Sequence, residues 1–420
     1  MPVIFPRTFL FLTAIIACGF PSVPGFAQEW TRFRGPNGSG ISAATTIPVK
    51  WADRDYNWKI KLPGAGHGSP VVWKDRLFLM AAEDGGAVRI VLCVQTTTGK
   101  ILWRQKFASK SHRKHRNNSY ASSTPAVDEK RVYVAWATPQ KLTLMALDHD
   151  GNVKWEKDLG PLKGNHGFAA SPIVYKDMVI LANDQNGKSS LIAVDRATGK
   201  VRWNVPRRSR RLTYSTPCVY RRKGRPEELI FTNWRHGITG VDPATGKTNW
   251  EISVFDQSSK ERAIGSPIVA GELIVGTCGF VKNPKHAVVV RPGDGAKPKT
   301  VKEIFRVERN VPHIPSPLVY RDRLYLWADN GVAACYDMTG KLIWQQRVGG
   351  NFFGSPVCIN GRLYGISRRG TVVVLATGDT YKLLGKTDLG EACQTTPAIA
   401  GGVMFIRTES ALVSVGGKKE

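Results

Sequence analysis

At 420 residues the chain can hold two or three ordinary domains or one large repetitive one. Its 42 glycines and 25 prolines count against a build of long helices, while 42% hydrophobic residues and 12 tryptophans supply a sizeable buried core. A formal charge of +27, from 60 Lys and Arg against 33 Asp and Glu, suits acidic polysaccharide, anionic lipid headgroups or nucleic acid, or else is a plain solvated basic surface.

The first 27 residues read as an export signal. Arg7 supplies a positive start, Thr8 to Ala17 an apolar run, and Gly25-Phe26-Ala27 a small-residue cleavage site. The apolar run is too short to span a bilayer, so no transmembrane segment is expected after cleavage. A competing reading puts a lipid on Cys18, within Ile15-Ile16-Ala17-Cys18-Gly19. Plain secretion to the periplasm or beyond is favoured, because the usual Leu is missing and a second cleavage site follows. Export also disfavours nucleic acid as the partner. The six cysteines after Ala27 form no CxxC, and most sit in apolar runs, as small buried hydrophobes do; their pairing is not readable from sequence.

Residues 28–57 form a lead segment, and from 58 onward the chain repeats. A Ser-Pro or Thr-Pro pair before a short β-like run occurs eight times, at Pro70, Pro125, Pro172, Pro217, Pro267, Pro317, Pro356 and Pro397. The spacing, roughly forty to fifty-five residues, matches one four-stranded propeller blade per repeat. Late in most repeats comes a second mark. Thr98-Gly99-Lys100-Ile101-Leu102-Trp103 recurs at Thr198 to Trp203, Thr245 to Trp250 and Thr339 to Trp344, with a looser copy ending at Trp155. An Asp precedes it at Asp148, Asp195, Asp242 and Asp337. This reads as strand, tight turn, strand: Asp caps the turn, Gly supplies positive φ, and Trp packs between blades. Two repeats depart from the pattern, the fifth with Phe305 near the Trp position and the seventh with no Trp.

After Pro397 only three strands remain, and the run Trp58 to Leu62 is the obvious donor of the fourth. The expectation is therefore an all-β, eight-bladed β-propeller of four-stranded antiparallel blades over 58–417, closed by an N-terminal strand, with a short tail at 418–420. The consensus, best seen from Ala193 to Trp203, resembles the pyrroloquinoline-quinone (PQQ) repeat. The opening Phe33 to Gly40 is similar to the start of exported PQQ-like propellers of planctomycete-type bacteria. This resemblance implies kinship both with the periplasmic propeller of outer-membrane barrel assembly and with quinoprotein alcohol dehydrogenases, so it leaves function open.

In a propeller the segments entering the innermost strands surround one mouth of the central channel, and the loops between second and third strands open on the same face. This predicts a binding funnel drawn from His67, Tyr120, His166, Asp184, Tyr214, Trp234, His236, His313, Asp329, Phe353 and Arg368. Trp58, Trp103, Trp155, Trp203, Trp250 and Trp344 are structural. No His/Asp/Glu spacing marks a metal site, and Asp184-Gln185-Asn186-Gly187 reads as an Asx turn rather than a calcium loop. No catalytic motif is present, and no pair of carboxylates is framed for glycan hydrolysis. The favoured expectation is a non-catalytic, monomeric cell-envelope scaffold without cofactor, holding an envelope protein or an acidic polysaccharide. The alternative is a PQQ-dependent oxidoreductase with calcium and PQQ in the funnel. Against it stand the absence of a vicinal cysteine pair and of a Cys-x-x-Cys-His haem motif.

Overall fold

The computed structural model describes residues 1, 29–256, 261–280, 284–293 and 300–417. Apart from Met1, the expected export segment with Cys18 lies outside the described residues, as does the tail at 418–420. The short apolar runs form eight four-stranded antiparallel sheets. Their innermost strands neighbour one another around a central channel, so the chain is an eight-bladed β-propeller. Blades 1 to 7 span 71–108, 126–158, 173–207, 218–252, 268–307, 318–347 and 357–388. Blade 8 combines three strands over 398–416 with Tyr56–Lys61, which pairs antiparallel with Ala411–Gly416. The orphan strand thus closes the ring.

Blade 3 shows why these sequences form these strands. Met178–Asn183 and Ser189–Asp195 are buried along nearly their whole length, because neighbouring blades cover both faces of the sheet. Such strands read as unbroken Val/Ile/Leu runs rather than alternating ones. The outermost strand, Val201–Arg207, has its edge in water and alternates more. In all eight blades the outermost strand carries a bulge next to the Trp position. Bulges at an exposed edge discourage pairing with further strands.

Five of the six repeat Trp residues dock on the turn of the next blade. The indole N–H groups of Trp58, Trp103, Trp155, Trp203 and Trp344 donate to the carbonyls of Thr96, His149, Arg196, Pro243 and Gly378, at 2.7–3.0 Å. Trp250 instead donates to Glu228 of its own blade. In the fifth repeat the Phe305 ring lies over Gly340 as the indoles lie over their glycines. In the seventh, the register puts Gly385 where the Trp would stand. A Cβ there would meet the Val49 carbonyl at 2.3 Å, so the lead segment occupies the space a Trp fills elsewhere.

The residue before each proline has a second duty. Backbone N–H groups of Ser69, Thr124, Thr216, Ser266, Ser316, Ser355 and Thr396 each donate to the hydroxyl at the same position of the following blade, at 2.9–3.1 Å. Among the described residues these seven links run around the channel and join blade 8 back to blade 1. Buried amides need partners, and only Ser or Thr supplies one here without widening the ring. The six described cysteines are all buried and unpaired. No helix among the described residues is long and apolar enough to cross a membrane.

Candidate functional site

The channel is blind. The lead segment crosses one end of it, bonding Val72 in blade 1 through Trp30, Val127 in blade 2 through Thr31, and Val219 in blade 4 through Asn37. It then adds Ile41–Ser42 as a parallel fifth strand on blade 7. Arg32 and Arg34, both buried, donate to the carbonyls of Pro217 and Pro356, two of the repeat prolines. Burial lowers these guanidinium pKa values to about 10 and about 9, which leaves both charged at neutral pH. Gly35 sits at φ +63° with the Trp30 ring where a Cβ would be, 2.4 Å away, so only glycine permits this fold-back.

Above this plug lies a cavity of about 460 Å³ with Phe33 as part of its lining, a size in the range of ligand sites. Seven Ser and Thr residues of the channel ring line its waist, and all but Thr216 accept a blade link there, a role that does not use the O–H. His67, His166 and His313 line it too, and burial first, then neighbouring Arg407, Arg262 and Lys285 respectively, drives each imidazole down to about 4. All three are therefore neutral at pH 7. Asp329 accepts the backbone N–H groups of His313 (2.5 Å) and Ile314 (3.1 Å), and burial raises its pKa. Its geometry shapes the wall. At the rim, His115 stacks on His166 with ring centroids 5.2 Å apart, and the Arg368 guanidinium lies 4.3 Å from the centre of the Phe353 ring.

Of the residues expected at the funnel, His67, His166, Tyr214, His313, Asp329 and Phe353 line the cavity together, and Arg368 reaches it by stacking on Phe353. The others stand apart. Tyr120 packs beneath Gly86 between Arg89 and Lys114, its hydroxyl donating to the His112 carbonyl. Trp234 is buried, with its indole donating to the Asp256 carbonyl. His236 faces Glu251 at 3.0 Å on the outer strand of its blade. Asp184 corrects the turn reading. Its carboxylate does not cap the turn; it is buried 3.6 Å from the Arg207 guanidinium, because this stretch enters the blade rather than the solvent. The sequence reading missed Phe33, His115, Arg262, Phe280 and Lys285 in the lining. Arg262 had a signal, falling three residues before the glycine that precedes Ser266-Pro267.

The family described as outer membrane protein assembly factor BamB matches residues 88–289, 285–381 and 329–415. The chain belongs to this family. Among solved structures, BamB from Moraxella catarrhalis is similar at a TM-score of 0.60 and 16% identity, over 86% of this chain and 97% of that one. The quinohemoprotein alcohol dehydrogenase from Comamonas testosteroni reaches 0.65 at 13% identity, over 94% and 81%. A europium-containing methanol dehydrogenase reaches 0.57 at 10%, over 93% and 98%. At these identities the likeness is one of fold. A comparison with curated proteins finds no match.

The presence of dehydrogenases on this fold calls for a test of the calcium–PQQ alternative against this BamB-family funnel. Arg262, Lys285 and Arg368 offer cations for a quinone's carboxylates. A calcium ion needs six to eight oxygens. Among the described residues no group of three His, Cys, Asp or Glu is placed to hold a metal, and Asp329 is engaged by backbone amides. Among the described residues the funnel thus shows no carboxylate cluster for a calcium-bound quinone.

Proposed function

We propose that this propeller is a non-catalytic binding scaffold of the cell envelope that holds a protein partner at its funnel face. The observation that carries the reading is the blind, cation-rimmed channel: a ring whose own lead segment crosses one end and leaves a concave mouth at the other. Membership in the family of outer membrane protein assembly factor BamB supports an envelope location and a role beside other envelope proteins. The bulged outer edges favour the funnel over strand addition as the mode of contact. The excess of basic residues would speed encounter with an acidic partner and make that encounter sensitive to salt.

The experiment is site-specific photocrosslinking in intact cells. A crosslinker at Asn117, on the funnel mouth, should trap a discrete envelope protein, while one at Leu342, on an outer strand, should not. Equal adducts at both positions, or none at Asn117, would remove the funnel from the proposal. An adduct to polysaccharide in place of protein would change the partner class.

A further inference from the structure

Six described arginines are more than nine-tenths buried; Arg207 faces Asp184, and the other five are Arg32, Arg34, Arg89, Arg262 and Arg407. None of these five is in an ion pair among the described residues. Four of them donate to carbonyls of the wall or the plug: Arg32 to Pro217, Arg34 to Pro356, Arg89 to Gly86, and Arg407 to Gly68 and Met80. Arg262 differs in that it borders the cavity itself. Its backbone is stapled on both sides to Gly279, which fixes where the side chain starts. Its Nη1 donates to the Leu212 carbonyl at 3.3 Å, and its Nε has no partner. Its Nη2 is 3.3 Å from Nδ1 and 3.5 Å from Nε2 of His166. His166, neutral at pH 7, is thus a hydrogen-bond partner for Nη2 but supplies no counter-charge.

A buried guanidinium without a carboxylate is costly unless something supplies the opposite charge. The protein's own cavity carboxylate, Asp329, is held by two backbone amides. Unlike the four sealed against carbonyls, Arg262 can meet a counter-charge that a ligand brings into the cavity, and the planar fork of Arg matches a carboxylate. The rest of the wall describes the body that carries it. Phe33, Phe280, Phe353, Ile264 and Ile314 give the cavity an apolar face that suits a hydrophobic side chain. Because Phe33 and the lead segment close the far end, an extended chain cannot pass through; only a chain end fits.

We infer that the cavity captures the terminal carboxylate of a peptide chain ending in an apolar residue, with Arg262 as the counter-ion. This rests on the protein-partner reading above and names what the partner presents. Anionic chain ends are a known mode of peptide recognition.

The test is calorimetry on the full-length mature protein at low salt, with acetyl-Ala-Leu-Leu as the free acid and as its C-terminal amide. The acid should bind saturably and the amide at least ~10-fold more weakly, as expected for loss of one charge-assisted pair. Arg262→Gln should lose at least the same factor for the acid while melting no lower than wild type, since it removes an uncompensated buried charge. Should that variant fail to fold, Ile264→Trp, which fills the mouth and keeps the arginine, should abolish acid binding. Equal binding of acid and amide, or no binding of the acid by folded wild type, would overturn the inference. So would octanoate binding as tightly as the peptide, because the site would then serve a free organic acid, and so would tighter binding of a phosphorylated peptide. The crosslinking result is independent of these. A funnel adduct without acid binding would keep the scaffold and discard the chain-end site, whereas acid binding without an adduct would do the reverse.

Discussion

The repeated glycine of each blade turn can be tested for two separable demands, and Gly199 is the best place to do so. It sits at φ +70°, and a Cβ on it would lie 2.8 Å from the Trp155 ring of the preceding blade. An alanine in left-handed geometry costs ~1–2 kcal/mol from backbone sterics alone. Displacing the indole would add the lost hydrogen bond from Trp155 to the Arg196 carbonyl, 3.0 Å long, at ~1 kcal/mol. Partial re-exposure of a ring now 9% exposed would add ~1–2 kcal/mol. Gly199→Ala should therefore cost ~3–5 kcal/mol in the wild type and only ~1–2 kcal/mol in a Trp155→Ala background, where the strain remains and the clash is gone. The assay is a double-mutant cycle by urea unfolding, compared at equal slope so that midpoint shifts report stability. Equal penalties in both backgrounds would refute the docking argument and leave glycine serving the turn alone.

Further outcomes follow from the same geometry. His67, His166 and His313 have folded pKa values of about 4 against 6.5 when unfolded, so the unfolded chain binds more protons between those limits. Their contribution should be complete above pH 6.5, and its loss should lower the melting temperature as pH falls from 6.5 to about 4; a flat profile there would contradict the burial of these rings. Asp195, held low at about 2 chiefly by its bond from Arg202, should add a separate loss between about pH 4 and pH 2. Ser171→Ala removes the acceptor of the Thr124 amide, 2.9 Å away in a buried ring, and should cost ~1–3 kcal/mol, while Ser171→Thr should cost much less. Asn37→Ala removes a reciprocal pair of 2.8 Å bonds to Val219 and should expose the Gly35–Gly40 stretch to limited proteolysis without unfolding the blades. Calcium and PQQ added together should leave the melting temperature unchanged; a saturable rise would restore the quinoprotein alternative.

Most of the ring was legible in the sequence. The Ser/Thr-Pro pairs and the Asp…Thr-Gly-Lys…Trp turns are local chemistry repeated at a blade's length, and repetition makes a weak local signal strong. The orphan Trp58 strand was legible because a blade of three strands leaves an exposed edge. The funnel was legible only in part. His67, Tyr214 and Phe353 lie at fixed offsets from the repeat prolines, so position in the repeat places them. Asp184, Trp234 and His236 sit in equivalent loops, yet their side chains turn to Arg207, Asp256 and Glu251. Repeat position fixes the Cα; the rotamer follows from the neighbours that folding brings around it.

The lead segment marks where local patterning ends. Nothing in Trp30 to Ser42 announces a plug, because its partners are residues 40 to more than 300 positions away: Val72, Val219, Pro356 and Cys358. Only ring closure brings those carbonyls and amides to one channel end. The same holds for the seventh blade, whose missing Trp is a gap in the pattern until Val49 is seen against Gly385. Periodicity, turn chemistry and strand count are properties of neighbours along the chain, and they suffice to specify eight blades. The blind channel and the buried arginines without carboxylates, Arg262 among them, exist only where distant segments exclude water together, since burial is what turns an ordinary basic residue into a site.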